Sequence, residues 1–245
     1  MDPSTASDEL RRRVAALVPC YNAGHRVRPV VERLLEFVDQ VVVVDDGSRD
    51  GAVEALRDLP ICIVTFPENR GKGQALLAGF QTALEMPEVE AVAVVDADGQ
   101  HDPRELPRMF AAFREQDLDL AIGSRTFELE RVPWRSRFGN VLTRNLTRWL
   151  LGQRIPDTQS GYRLHSRRLL EEVVRSVRGG RYETEMEILV LAVKRGYRVA
   201  PVPIETIYER GNPSSHFNKF RDSYLIYRRL FHAAWRIPKG PRVTE

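Results

Sequence analysis

The 245-residue sequence is short of several things, and each shortage argues against a class of protein. It has two cysteines, Cys20 and Cys62, both beside apolar strand-like runs. That speaks against a disulfide framework or a cysteine metal centre and for buried thiols in a reducing compartment. No apolar run approaches the roughly 18–20 residues of a membrane-spanning helix. No signal peptide is visible, and the polar start is expected to be flexible. Internal repeats and low-complexity tracts are absent. The pattern Gly-x-Gly-x-x-Gly is missing after the first strand, and the Walker spacing is missing throughout, which weakens a nicotinamide-dinucleotide or P-loop reading. No nucleic-acid recognition motif occurs, and aromatic residues do not interleave with basic ones, so nucleic acid is not expected as a partner.

What is present suits one sizeable α/β domain. Hydrophobic residues make up 42 % of the chain, enough for a packed core. The net charge of +3 hides an asymmetry. Residues 1–130 carry 14 Lys/Arg against 24 Asp/Glu, whereas residues 131–245 carry 23 against 10. The basic half should prefer an anionic partner: a phosphate, an acidic membrane surface or, were a recognition motif present, nucleic acid.

The stretch Ala91–Asp102 organises the rest. Ala91–Val95 reads as a buried strand of a parallel sheet. It ends in Asp96-Ala97-Asp98-Gly99-Gln100-His101, followed by the helix-start signal Asp102-Pro103. Ligands of open α/β sheets bind outside the carboxyl ends of strands, where these carboxylates fall. Two carboxylates and an amide oxygen are hard ligands suited to Mg²⁺ or Mn²⁺, and such an ion completes its shell with substrate phosphates. A plain Asp/Gly turn is the bland alternative.

Upstream, Val14–Val18, the helix Val27–Val38 and the strand Val41–Val44 form a βαβ unit with Pro19-Cys20-Tyr21-Asn22 at its first turn. Asp45-Asp46-Gly47-Ser48 closes the second strand. It reads either as a turn with a helix N-cap or as acceptors for a base or ribose. After strand Ile61–Phe66, Asn69-Arg70-Gly71-Lys72-Gly73-Gln74 opens helix Ala75–Leu84 and offers an anion site at its N-terminus.

Downstream, a helix over Pro103–Arg114 leads to strand Leu118–Gly123, which puts Arg125 at the same sheet edge as the acidic cluster. Trp134–Gly152 reads as an amphipathic helix with Arg137, Arg144 and Arg148 on one face. Ile155–Leu164 is a polar loop holding Asp157, Gln159 and Ser160, functional or merely capping. Helix Arg181–Arg195 carries Glu183 and Glu185 in its first turn. Strands are expected at Tyr197–Pro203 and Ile204–Tyr208. Glu209–Phe220, with Arg210, His216 and Lys219, is a candidate lid. Tyr224–Ile237 is a basic amphipathic helix that either packs on the domain or lies on a membrane surface. The expected division is a flexible 1–13, a catalytic domain over 14–222 with halves 14–125 and 126–222, and a C-terminal helix and tail over 223–245.

Taken in series, these motifs resemble the family 2 inverting glycosyltransferases with a GT-A fold, the dolichol- and polyprenyl-phosphate mannose or glucose synthases in particular. The resemblance covers roughly residues 14–230 and departs at Ala23, where many members carry Glu. It implies a single Rossmann-like domain and a nucleotide-sugar donor, GDP-mannose or a UDP-hexose. Pro19, Tyr21, Asn22, Asp45, Asp46, Lys72, Asp96, Ala97 and Asp98 would line the donor. Asp96, Asp98 and Gln100 would hold Mg²⁺ or Mn²⁺. Arg125 and Arg137 would grip the phosphate of a polyprenyl or dolichyl phosphate acceptor, with Arg210, His216 and Lys219 closing over it. Asp98, Arg125, Arg137, Asp157 and Gln159 would form the catalytic group. The expected location is the cytoplasmic face of a membrane, peripherally attached. A sugar-hydroxyl acceptor would instead require Asp157 or Glu185 to take a proton. A non-catalytic nucleotide-sugar binder is the third reading.

Overall fold

The structure, a computed structural model, describes residues 3–125, 160–180 and 183–205. Its centre is a seven-stranded sheet in the order β3-β2-β1-β4-β6-β5-β7. The strands are β1 (Val14–Cys20), β2 (Gln40–Asp45), β3 (Cys62–Thr65), β4 (Ala91–Val94), β5 (Leu120–Arg125), β6 (Arg163–Ser166) and β7 (Val199–Ile204). All neighbours pair parallel except β6, which runs antiparallel to both β4 and β5.

Helices cover both faces, which is why the strands are apolar without alternation. Val14, Ala16 and Val18 of β1 join Val41, Val43, Ala91 and Ala93 in one core. That core is closed by α1 (Pro3–Arg13), α2 (Val27–Leu35) and α4 (Leu106–Glu115) through residues such as Leu10, Val31 and Met109. Ala15, Leu17, Val42, Val44, Val92 and Val94 face the opposite way. There they meet α3 (Lys72–Leu84), α5 (Arg167–Ser176) and α6 (Glu183–Arg195) through Phe80, Leu170 and Leu189.

The α/β architecture expected from the sequence is therefore present, with three local differences. Residues 3–13, expected to be flexible, form α1, anchored by the buried Leu10. The chain from 103 to 115 begins as a 3₁₀ turn, Pro103–Glu105, capped by Asp102, before α4. β7 covers the first of the two strands expected around residue 204, and the second, Ile204–Tyr208, lies mostly outside the described residues. Strand β6 and helix α5 occupy a region given no strand or helix from sequence. Both cysteines are free thiols, and burial pushes Cys20 up to about 11. Among the described residues no helix is long and apolar enough to cross a membrane.

Chain order sets the site. From β1 the sheet grows outward through β2 and β3, and then the chain returns to place β4 on the other side of β1. The crevice between β1 and β4 is thus a topological switch point, where ligands of open sheets bind.

Candidate active site

Parallel pairing aligns the strand ends. Cys20 is level with Asp45 and Leu17 with Val94, so Tyr21, Asp46 and Asp96 emerge at one edge. Two antiparallel steps through β6 give β5 the direction of β4, and Arg125, its last residue, reaches the same edge. β6 begins there, which brings Ser160, Gly161 and Tyr162 beside the acidic cluster.

Asp96 lies at the centre. Its Oδ1 is 2.7 Å from Lys72 Nζ, and its Oδ2 is 3.7 Å from His101 Nδ1. Lys72 Nζ also lies 3.2 Å from Glu185 Oε1, so one ammonium on α3 serves two carboxylates, one just past β4 and one on α6. Burial opposes the charge on Asp96, but Lys72 foremost, with His101 and Arg163, holds its carboxyl below the ordinary carboxylate range. Among the described residues none forms an ion pair with Asp98. Burial and then the charge of Asp96 push its carboxyl upward, opposed in part by the Gln100 N–H that donates to Oδ1 at 3.0 Å.

Gly161 allows this packing. A Cβ on it would lie 2.2 Å from Asp96 Oδ2, so only glycine lets the segment before β6 rest against that carboxylate. Arg163, 1 % exposed, fixes the segment: its Nε donates to Ser160 O at 2.9 Å and its Nη1 to Glu185 O at 2.7 Å.

The neighbouring wall comes from β1, β2 and the turn before α3. Asp46, 3 % exposed, accepts from Asn69 Nδ2 at 2.9 Å, Arg70 N at 2.6 Å and Gly71 N at 2.9 Å. Gly47, at φ +75°, is needed because a Cβ there would meet the Glu68 carbonyl carbon at 2.6 Å. Asp45 Oδ1 accepts from Ser48 N at 2.8 Å, while Ser48 Oγ accepts from Asn22 N at 3.0 Å and Asn22 Oδ1 from Arg49 N at 2.9 Å. Tyr21 stands exposed above this wall, and the Arg70 guanidinium lies 4.9 Å over the Phe66 ring.

Of the residues singled out in the sequence, the structure gathers Pro19, Tyr21, Asn22, Asp45, Asp46, Lys72, Asp96, Ala97, Asp98 and Gln100 at this edge, with the backbone of Arg125. Arg137, Asp157, Gln159, Arg210, His216 and Lys219 lie outside the described residues. The Asp46 carboxylate builds the Asn69–Gly71 turn through the three hydrogen bonds it accepts. The contacts of Asn69 with Asp46, of Gly161 with Asp96 and of Arg163 with the Glu185 carbonyl were not foreseen, although Asn69 stands in the turn singled out above. Their signal was faint, although Tyr162-Arg163-Leu164-His165 does alternate with a strand period.

Among the described residues no group of three His, Cys, Asp or Glu side chains is arranged to hold a metal ion. The donor chemistry nevertheless fits a divalent cation at Asp98. Among the described residues no cation pairs with its carboxyl, and an ion there would draw its other ligands from a diphosphate and water.

Residues 15–174 match the model of glycosyl transferase family 2. The chain belongs to that family and is a glycosyltransferase. It is 32 % identical over 221 residues to a polyprenol monophosphomannose synthase of Mycolicibacterium smegmatis, covering 85 % of this chain and 82 % of the relative. It is 28 % identical over 235 residues to the UDP-N-acetylglucosamine–dolichyl-phosphate N-acetylglucosaminyltransferase of Methanococcus voltae, covering 87 % and 93 %. Its fold is that of glucosyl-3-phosphoglycerate synthase from Mycobacterium tuberculosis, crystallised with Mn²⁺, UDP and glucosyl-3-phosphoglycerate. The TM-score is 0.73 at 17 % identity, over 98 % of this chain and 85 % of the other. The fold is therefore GT-A.

Proposed function

We propose that the protein is a metal-dependent inverting glycosyltransferase that moves a sugar from a nucleotide-sugar to a polyprenyl or dolichyl phosphate at the cytoplasmic face of a membrane. The observation that carries the reading is Asp98, which no described residue pairs as an ion, beside the Lys72-paired Asp96 at the switch point. The names of the relatives support the acceptor class.

In this reading the Tyr21–Asn22 and Asp45–Ser48 turns border the nucleoside, and the Asn69–Lys72 turn borders the diphosphate. Asp98 would hold the Mg²⁺ or Mn²⁺, with Asp96 and Gln100 beside it. The bound ion supplies Lewis-acid stabilisation of the charge gathering on the departing nucleoside diphosphate. Lys72 keeps Asp96 ionised and in place. Arg125, with Arg137, Arg210, His216 and Lys219, would receive the acceptor phosphate. A lipid phosphate is already anionic near neutral pH, so the site needs no strong base and works by positioning two anions. Asp157 and Gln159 would border the transferred sugar. The pairing of Glu185 with Lys72 favours this reading over a hydroxyl acceptor, which would call on a carboxylate without a cation to take the proton. Residues 224–237 would supply peripheral membrane attachment.

The test is a product assay. The protein is incubated with Mn²⁺ or Mg²⁺, a short polyprenyl phosphate and a panel of nucleotide sugars, and glycolipid is detected by mass spectrometry, with Asp98→Ala as control. The expected result is one lipid-phosphate sugar, lost in the control. Transfer only to sugar hydroxyls, or binding without turnover, overturns the reading.

A further inference from the structure

Arg163 is a buried charge that no donor or acceptor contact of the reading above requires. It lies on β6, the one strand that runs against its neighbours, level with Val94 of β4 and Ile122 of β5. An arginine in a sheet centre is costly to bury unless its donors are used. Here two are spent on main-chain carbonyls of different segments: Ser160, just before β6, and Glu185, in the first turn of α6. Each segment delivers one piece of the active site. The first carries Gly161, whose backbone lies so close to Asp96 that a Cβ would stand 2.2 Å from its Oδ2. The second carries Glu185, whose Oε1 shares the Lys72 ammonium with Asp96.

We propose that Arg163 is a positioning residue for glycosyl transfer: its fork clamps the Ser160–Gly161 segment onto Asp96 and the start of α6 onto Lys72, locking the chain that enters β6 to the central carboxylate. The planar guanidinium suits this task because its donors point in fixed, divergent directions, which a single ammonium cannot reproduce. Its positive charge also adds to that of Lys72 in holding Asp96 ionised. The inference rests on the proposed reaction for its kinetic consequence, but the clamp itself is testable without turnover.

The experiment compares the full-length chain with Arg163→Lys and Arg163→Met. Hydrogen exchange followed by mass spectrometry reads the clamp directly. Peptides covering 160–162 and 183–187 are expected to exchange at least tenfold faster in Arg163→Met, with those of β1 and β2 unchanged. Steady-state kinetics with polyprenyl phosphate and the donor that the product assay identifies should show kcat about 100-fold lower in Arg163→Met. Arg163→Lys should fall between, and donor KM should stay within threefold, because the nucleoside wall is not touched. Three results overturn the proposal: folded variants with wild-type exchange in both segments, faster exchange spread over the whole sheet, or loss of cooperative melting in both variants, which would make Arg163 a folding residue. An inactive wild-type protein would reject the proposed reaction while leaving the exchange result to decide the clamp.

Discussion

Lys72 Nζ lies 2.7 Å from Asp96 Oδ1 and is the only cation that an ion pair of 4 Å or less gives to Glu185 among the described residues. Lys72→Met therefore leaves two carboxylates facing each other without their shared counter-ion. The cost should be about 2–4 kcal/mol of unfolding free energy, below the range for fully buried pairs because the Asp96 side chain is 25 % exposed. The sign with pH follows from the depressed Asp96 carboxyl. Its stabilisation is present above the ordinary carboxylate range and disappears as pH falls through the lowered folded value. Urea titrations should therefore show a large gap between wild type and Lys72→Met at pH 7 that closes in acid. A pH-independent gap would assign the loss to packing.

Gly161→Ala tests the same centre from the other side. A Cβ 2.2 Å from Asp96 Oδ2 forces the carboxylate or the segment before β6 to move. A shift of that size in a reacting site costs about 100-fold in rate. The expected outcome is a kcat reduced by that order with a melting temperature within a few degrees of wild type. Wild-type kcat in a folded Gly161→Ala protein would mean that the close approach is incidental.

The parts of this site differed in how legible they were. Asp96 and Asp98 could be found from sequence because a local pattern, apolar strand then acidic turn, carries its own chemistry. The Asn69–Lys72 turn was legible for the same reason. The turn-building part of Asp46 was not legible, because its donors, Asn69, Arg70 and Gly71, lie 23 to 25 residues away and no local pattern announces them. The Lys72–Glu185 pair spans 113 residues. Strand β6 has four residues and takes its stability from the two strands it separates, so tertiary pairing, not propensity, creates it. Helix α5 is different: Ser166 caps it by accepting from Leu169 N, and Leu169, Leu170 and Val173 mark its buried face. That signal was present in the sequence and was overlooked.

Arg167 offers a control outside the site. Its guanidinium donates to Leu84 O at 2.6 Å, Met86 O at 3.0 Å and Val89 O at 2.9 Å, satisfying carbonyls at and beyond the end of α3. Hydrogen bonds from a charged donor contribute about 1.5–3 kcal/mol. Arg167→Ala should lose stability of that order in chemical denaturation while kcat at a temperature well below melting stays within twofold. A large kcat change with little loss of stability would contradict the purely structural role.

Asp98→Asn should separate stability from activity. The Asp98 carboxyl is pushed upward by burial and by the charge of Asp96, so in the ligand-free protein its ionised form opposes folding at pH 7. Below the ordinary carboxylate pKa of about 3.9 the group is protonated in both states and the penalty is absent. Asparagine keeps the acceptor for the Gln100 N–H without the charge. In EDTA, the variant should melt above wild type at pH 7, and the difference should shrink toward zero near pH 4. Added Mn²⁺ should reverse the order, because an ion bound only by the folded wild type stabilises it by mass action. Transfer activity should fall at least 100-fold in the same variant. If Asp98→Asn melts below wild type in EDTA at pH 7, the carboxylate is part of the scaffold. If Mn²⁺ stabilises both proteins alike, the ion is held elsewhere.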